Sequence, residues 1–586
     1  VIYFSLIYRK TDHRDNETPK RWISHPADDQ DVDRLVEEIR ISHLQALLLI
    51  NRGIRTPEAA HRYLNSTLAD MHDPFLMKDM RKTVGRILQA IHQREKILIY
   101  GDFDVDGVTS IVVLKKALES LGGTCGFYVP RRLTDGYGLK KEAIEEFKHQ
   151  GYSLVISVDC GIRAEEVAQF AKEIGLDLIV TDHHLPGESL PDCYSIINPK
   201  QEDCPYPDKN LAGVGVVYKL VQALFKETQR RSEENRFLNL VAIGTVADLV
   251  SLTDENRIIV KYGLNALQNP ENPGLQTLLE MAGVRGKEIS CIDVAFKIAP
   301  RINAVGRMGG SNAAVELFDS EDVEHIRSIV RDMNRKNLLR QQEESTILAE
   351  IDRLTRVQPE LFKDLVIVIA GENWHRGVIG IVASRMVERF HRPTIILSIE
   401  NGEAHGSGRS TSKFHLLQAL QLCDGYLIKY GGHALAAGLT LMSGDVDDFR
   451  RAINQYARGQ IRPGDLIPEL TIDTYLELNQ ISFKFLDEIN QLAPFGEGNP
   501  IPIFGTRNVK VYSGPWLLKD RHLKIKVGNV LQNFDAVWWK KGSLFDRLIY
   551  EKVISIAYSL HLNEYQGVSN LQLNLRDIKF NSRENS

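Results

Sequence analysis

Between about residue 78 and residue 250 the chain alternates two textures. Short, almost uninterrupted apolar runs recur: ILIY (97–100), GFYV (126–129), LVISV (154–158), LIVT (178–181) and SIIN (195–198). Between them lie VTSIVVLKKALESLG, KKEAIEEFKHQ and AEEVAQFAKEIG, which carry the spacing of helices. Runs that are apolar on both faces suit strands buried on both sides. Their alternation with helices predicts an α/β domain built on a parallel sheet.

The pattern then changes. Residues 1–75 are mixed and partly helical, with a helix expected from near Asp31, and residues 251–320 read as helical. EDVEHIRSIVRDMNRKNLLRQQEESTILAEIDRL (321–354) keeps a helical period with no Gly or Pro, long enough to join two domains. A second α/β region follows: strand LVIVIA (365–370), helix GVIGIVASRMVERF, strand PTIILSIE and helix HLLQALQLC. The Gly-rich segments GSGRS (406–410) and GGHALAAG (431–438) lie between or after them. From about residue 470, LKIKV, DAVWW, VISIAYSL and LQLNLRDI alternate between turn residues and predict a small β-barrel or sandwich.

At 586 residues the chain has room for roughly three to five domains. Hydrophobic residues make up 43% and charged residues 25%, the balance of a water-soluble globular protein. A net charge of -5 leaves nucleic-acid contacts to local basic patches. Six cysteines without a C-x-x-C pair fit neither a zinc site nor a disulfide framework and read as small residues in a reducing cytoplasm. No run of 18 apolar residues predicts a membrane-spanning helix. The opening VIYFSLIYRKTDHRDNETPK is too short in its apolar part and turns charged too soon for a signal peptide, and since it begins with Val the true start is expected to be missing.

Candidate chemistry begins at the end of the first run. In ILIYGDFDVDGVTS, Asp102, Asp104 and Asp106 occupy alternate positions before Gly107. This matches the first half of a calcium loop, but the twelfth position, which needs Glu, is Val113. What remains is a solvated acidic loop or a cation site. Other acids follow other apolar runs: Asp159 in ISVDCG, Asp182 with His183 and His184 in IVTDHHLP, and Asp248 in AIGTVADLV. Parallel sheets bind ligands at the carboxyl ends of their strands, so these groups are expected to converge on one crevice. Their mutual repulsion is relieved by one or two divalent cations. Carboxylates with one or two imidazoles and no thiolate suit Mn²⁺ or Mg²⁺. One histidine is expected to ligate, the other to face substrate, and Asp182 to orient an imidazole.

GDFDVDG, VDCG, TDHH and VADL resemble, in order, the four motifs of the DHH phosphoesterase superfamily, and GGHALAAG resembles the core of the DHH-associated domain. RINAVGRM (301–308), WHRGVIGIVASR (374–385), GSGRS and PFGEGNPIPIF (494–504) are similar to the RecJ family within it, bacterial exonucleases that degrade single-stranded DNA 5′→3′. The resemblance runs from about residue 45 to 575. It implies an N-terminal extension (1–75), a DHH domain (76–320), a connecting helix (321–356), a DHH-associated domain (357–465) and a C-terminal OB-fold (466–586).

The resemblance also implies roles. Asp102, Asp104, Asp106, Asp159, His183 and Asp248 hold two Mn²⁺ or Mg²⁺ ions, with Asp106 and Asp159 bridging and Asp102 compensating for Tyr100, which stands where smaller relatives have a histidine. His184 contacts phosphate. Arg301, Asn303, Arg307, Ser407, Arg409, Ser410, Gly432 and His433 contact DNA, and GSGRS forms a phosphate nest. Read without the family, RINAVGR is a solvated turn. Arg327, Arg331 and Arg335 make one helical stripe, read as a solvated face, and Trp516, Trp538 and Trp539 read as core before they read as stacking platforms. Two metals about 4 Å apart suit in-line hydrolysis that releases 5′-mononucleotides. A narrow cleft roofed by the second domain is expected to exclude duplex. Implied partners are single-stranded DNA, a single-strand-binding protein and a RecQ-type helicase in recombination and repair, for a cytoplasmic monomer. Two other readings are a DHH phosphodiesterase of small oligonucleotides or nucleotides, and a non-catalytic binding protein on a decayed DHH domain. The C-terminal barrel argues against the first, the intact carboxylates against the second.

Overall fold

The computed structural model describes residues 19–25, 29–130, 136, 138–308, 310, 312–565 and 567–580. Most of the opening segment weighed as a signal peptide lies outside them. The chain divides into two compact units. One comprises Arg62–Gln342 with Ala493–Pro500; the other comprises the described residues through His61, Glu343–Leu492 and the described part of Ile501–Ser586.

The first unit is built on five parallel strands: β1 (Lys96–Gly101), β2 (Thr124–Tyr128), β3 (Tyr152–Val158), β4 (Asp177–Thr181) and β5 (Ser195–Ile197). They lie in the order β2-β1-β3-β4-β5, with every neighbouring pair parallel. The period-2 alternation of β1 divides the core. Ile97 and Ile99 enter the large hydrophobic cluster on one face, and Leu98 and Tyr100 enter the cluster on the other. The first face is covered by α1 (Val105–Ser120), α2 (Gly213–Glu227) and α3 (Leu238–Ala247), each largely buried. Helix α4 (Ala299–Met308) buries Ile302, Ala304, Val305 and Gly306. RINAVGR is therefore helical, not a solvated turn, because its apolar positions recur at helical spacing. Val113 lies buried inside α1, incompatible with a calcium loop.

Helix α5 (Val323–Val357) runs through the division between the units. Ile326, Ile329, Val330 and Met333 join the core of the first unit, and Ile347 and Ile351 that of the second.

In the second unit, β6 (Ile367–Glu372), β7 (Thr394–Glu400), β8 (Glu403–Arg409), β9 (Lys429–Gly432) and β10 (Ala436–Met442) form a mixed sheet in the order β9-β10-β8-β7-β6. Only β6 and β7 pair in parallel. Helix α6 (Ile379–Phe390) packs on it. The GSGRS reading needs correcting here. Residues 406–409 lie within β8, with Ser407 paired to Ile396 on one side and Gly438 on the other, so their backbone groups serve sheet ladders rather than a nest. The glycines give the neighbours room: a Cβ on Gly406 would lie 2.6 Å from Leu397 and Leu439, and one on Gly408 2.7 Å from Leu416.

The C-terminal region adds β11 (Thr474–Tyr475), β12 (Phe504–Leu518), β13 (His522–Gly528), β14 (Asn533–Trp538), β15 (Val553–Tyr565) and β16 (Val568–Phe580). Strands β12 to β16 close into a barrel: β12-β13-β14-β16-β15, with β15 returning to β12. Leu523, Ile525 and Val527 alternate inward, and Lys524 and Lys526 face out. Among the described residues no helix is long and apolar enough to cross a membrane.

Candidate metal centre

Strands β1, β3 and β4 are neighbours and parallel, so the residues following them emerge at one edge of the sheet. Asp102 leaves β1, Asp159 leaves β3, and Asp182, His183 and His184 leave β4. The turn after β1 is tight. A Cβ on Gly107 would lie 2.5 Å from the carbonyl oxygen of Asp102, so only glycine fits. Asp104 caps α1, accepting from the Gly107 amide at 3.1 Å, which leaves Asp106 in the first turn. Asp159 adopts φ 60°, a left-handed conformation that Asp tolerates better than most residues. Asp248 comes from a helix rather than a strand, as the residue ending α3.

These side chains meet. His183 Nε2 lies 3.2 Å from Asp159 Oδ1, 3.5 Å from Asp248 Oδ2 and 3.9 Å from Asp106 Oδ2. Three overlapping sets each bring ligand atoms within 4.8 Å of one another: Asp106 with His183 and Asp248, Asp159 with His183 and His184, and Asp102 with Asp104 and Asp159. Asp102, Asp106, Asp159 and His183 are buried. Asp182 stands behind the cluster. Its Oδ1 accepts from His184 Nδ1 at 2.7 Å and from the amides of His183 and His184, and its Oδ2 accepts from the Ile162 amide. It therefore orients His184, aiming that ring's other nitrogen away. Tyr100 points to the opposite face of the sheet, where its hydroxyl donates to the Gly138 carbonyl at 3.1 Å.

Electrostatics records the crowding. Burial, then the Asp104 charge, pushes the Asp106 carboxyl up to about 7, against two amide hydrogen bonds that lower it. Burial, then Asp106 and Asp104, raises Asp248 to about 9. Asp159 is pushed well above the carboxylate range by burial and by Asp106. Burial and the neighbouring His184 lower His183 to about 3, keeping that imidazole neutral. For Asp182 burial is outweighed by the His184 hydrogen bond and charge, and its carboxyl falls below the usual range. Two like charges 4 Å apart cost about 4 kcal/mol at an effective dielectric of 20. The centre is thus short of positive charge.

Sequence reasoning missed several participants. Both oxygens of Asp106 accept backbone amides at the start of α2, from Gly213 and Val214, each at 2.7 Å. Lys200 is half-buried and faces Asp248 and Asp182, with burial lowering its ammonium. Gly306 lets α4 approach the loop that follows β1; a Cβ there would lie 2.7 Å from the Phe103 carbonyl oxygen. The G-x-G in LAGVGVV, opening an apolar run, was the available signal for Gly213.

The predicted DNA contacts fall in two places. In the first unit, Arg301 and Arg307 lie on α4 with Asn303; Arg301 Nε donates to Asn334 at 3.2 Å. In the second unit, Arg409 Nη1 donates to Ser407 Oγ at 3.1 Å, and a Cβ on Gly380 in α6 would meet both residues. The Ser410 hydroxyl donates to the Phe414 carbonyl, and Gly432 and His433 turn the β9–β10 hairpin, closed by the His433 amide on Ala436. On the barrel, Trp538 is core at 9% exposure, whereas Trp516 at 41% and Trp539 at 55% stand outside, which corrects the core reading for these two. Lys524 pairs with Asp535 at 2.8 Å. Arg327 and Arg335 pair with acids one turn away, as suits a solvated face. All six cysteines are free thiols.

Family models match three stretches: the DHH family N-terminal domain over residues 96–245, the DHHA1 domain over 363–459 and the RecJ OB domain over 472–577. The chain is 40% identical to the single-stranded-DNA-specific exonuclease RecJ of Bacillus subtilis, over 95% of this chain and 70% of that one. Crystal structures of RecJ from Thermus thermophilus are also similar. The complex with Mn²⁺ aligns with a TM-score of 0.82 at 28% identity, covering 96% of this chain and 79% of that one. The complex with Mg²⁺ aligns with a TM-score of 0.75 at 26% identity, covering 96% and 78%.

Proposed function

The chain belongs to the RecJ family of single-stranded-DNA-specific exonucleases, and from that membership we propose that it hydrolyses single-stranded DNA 5′→3′ to 5′-mononucleotides with two divalent ions held at the sheet edge. The observation that carries the reading is the convergence of Asp106, Asp159 and Asp248 on the neutral His183 ring. The donors fit the ions. They are hard carboxylate oxygens with imidazole nitrogen and no thiolate, the carboxyls are raised by burial and by one another's charge, and His183 Nε2 makes no hydrogen bond. When bound, two such ions acidify a water and neutralise charge on the phosphate and the leaving oxygen.

The chain's own residues do the rest. Asp102, Asp104, Asp106, Asp159, His183 and Asp248 would hold the ions. Asp182 fixes the His184 ring at Nδ1, leaving Nε2 to meet a phosphate oxygen. Arg409 and Ser407, held together on β8, are suited to a backbone phosphate, with Ser410, Gly432 and His433 at the neighbouring turn and Arg301, Asn303 and Arg307 on α4 as further contacts. The exposed Trp516, paired with Lys524 across the ladder, and the exposed Trp539 suit stacked bases. The protein acts in the cytoplasm as a monomer in recombination and repair, beside a single-strand-binding protein and a RecQ-type helicase.

The test is an oligonucleotide labelled at its 3′ end, incubated with Mn²⁺ beside a blunt duplex and an EDTA control. Shortening from the 5′ end of the single strand alone is expected. An intact strand with hydrolysed dinucleotides would transfer the chain to the small-substrate reading.

A further inference from the structure

Gly213 opens helix α2 at the point where that helix meets the carboxylate cluster. Its amide and that of Val214 each donate at 2.7 Å to a different oxygen of Asp106, gripping the carboxylate on both sides. A Cβ on Gly213 would lie 2.6 Å from Asp159 Oδ1, 2.8 Å from Asp159 Cβ and 2.9 Å from Asp159 Cγ. All three distances are shorter than Cβ contacts allow. The helix cannot retreat, because every residue from Gly213 to Phe225 is buried. Nor does the backbone itself call for glycine, since Gly213 is not among the positive-φ positions. The three atoms nearest to an added Cβ all belong to the side chain of Asp159. Two positions on, a Cβ on Gly215 would meet Leu211 at an ordinary 3.4 Å.

We infer that Gly213 is a positioning residue for the metal centre: it lets one helix terminus clamp Asp106 while leaving Asp159 room to face the same ions. The inference rests on the reading that the cluster holds divalent cations. Donors behind a ligand fix the direction of its remaining lone pairs, and losing such support typically costs 10–100-fold in metal affinity. An alanine at 213 pushes the Asp159 side chain, its Cβ included, out of line with the cluster, while the helix, which accepts alanine readily, stays in place.

The experiment is calorimetric Mn²⁺ titration of the full chain and of Gly213→Ala and Gly215→Ala, with circular dichroism in EDTA. Gly213→Ala should bind Mn²⁺ about tenfold more weakly or worse with an unchanged spectrum, and Gly215→Ala should match the parent. Should Gly213→Ala fail to fold, Asp159→Gly/Gly213→Ala removes the clashing side chain at a position whose left-handed φ suits glycine, and should fold. Parent-like Mn²⁺ binding by Gly213→Ala, or a double variant that still does not fold, would overturn the inference alone. A parent chain that binds no Mn²⁺ would overturn the metal reading with it.

Discussion

At the edge of the parallel sheet, Asp102, Asp106, Asp159 and His183 are buried together, with charge of one sign in excess. On the outside of the barrel, Trp516 and Trp539 stand in solvent and the nearby Lys524 already has an acidic partner. On the proposed function the first region concentrates its chemistry in a few atoms and holds them against repulsion and desolvation. The second would spread weak, exposed contacts over a surface. One is therefore sensitive to the loss of a single oxygen, and the other is tolerant. Chemistry on a scissile phosphate calls for the first design, and holding a flexible strand calls for the second.

The largest expected effect is at the centre. Asp106→Asn and Asp159→Asn should each lower exonuclease rate by about a thousandfold or more, the order seen when a group stabilising transition-state charge is removed. Initial rates on 3′-labelled single strands check this, and a loss of less than tenfold would break the contrast. The barrel should respond by degrees. Trp516→Ala and Trp539→Ala should each weaken single-strand binding by roughly tenfold, consistent with about 1–3 kcal/mol per stacked base, measured by fluorescence anisotropy in EDTA. The buried Trp538→Ala should instead cost about 3–5 kcal/mol of stability.

Acidity sharpens the comparison further. Burial and neighbouring aspartates push the Asp106 and Asp248 carboxyls of the folded chain up to about 7 and about 9, above the unfolded value of 3.8. The stability linked to them is full below the unfolded value and is lost as pH rises through the folded ones. In EDTA the unfolding temperature should therefore fall as pH rises from 3.8 to about 9, with the Asp106 share spent by about 7 and the Asp248 share by about 9, and the stabilisation given by Mn²⁺ should widen over the same range. Asp248→Asn should flatten the EDTA slope. The smallest effect is expected on α5, where Arg327→Ala and Arg335→Ala remove exposed pairs one turn apart. Stability should change by less than about 0.5 kcal/mol, with DNA binding unaltered.

Much of the centre was legible because its acids follow apolar runs, and parallel neighbours deliver such residues to one edge. The order of β1, β3 and β4 did the assembling. What stayed hidden depended on packing between segments distant in sequence. GSGRS has the composition of a turn, yet leucines from β7 and β10 fill the space its glycines leave, and it becomes a strand. RINAVGR looks polar until Ile302 and Val305 are buried on one helical face. The grip of α2 on Asp106 joins residues more than a hundred positions apart, and no local pattern records a hydrogen bond of that span.

The left-handed backbone at Asp159 has an evolutionary consequence. Asparagine accepts that conformation at least as readily as aspartate and fills the same space. A mutation to it would remove a carboxyl whose ionisation burial and Asp106 oppose, so the substituted protein would be the sturdier one without metal. On the proposed two-ion reading, a hydrolysing chain and an inert DNA-binding descendant are then one substitution apart on the same scaffold, and selection for hydrolysis has to be continuous to keep the lineage on the catalytic side.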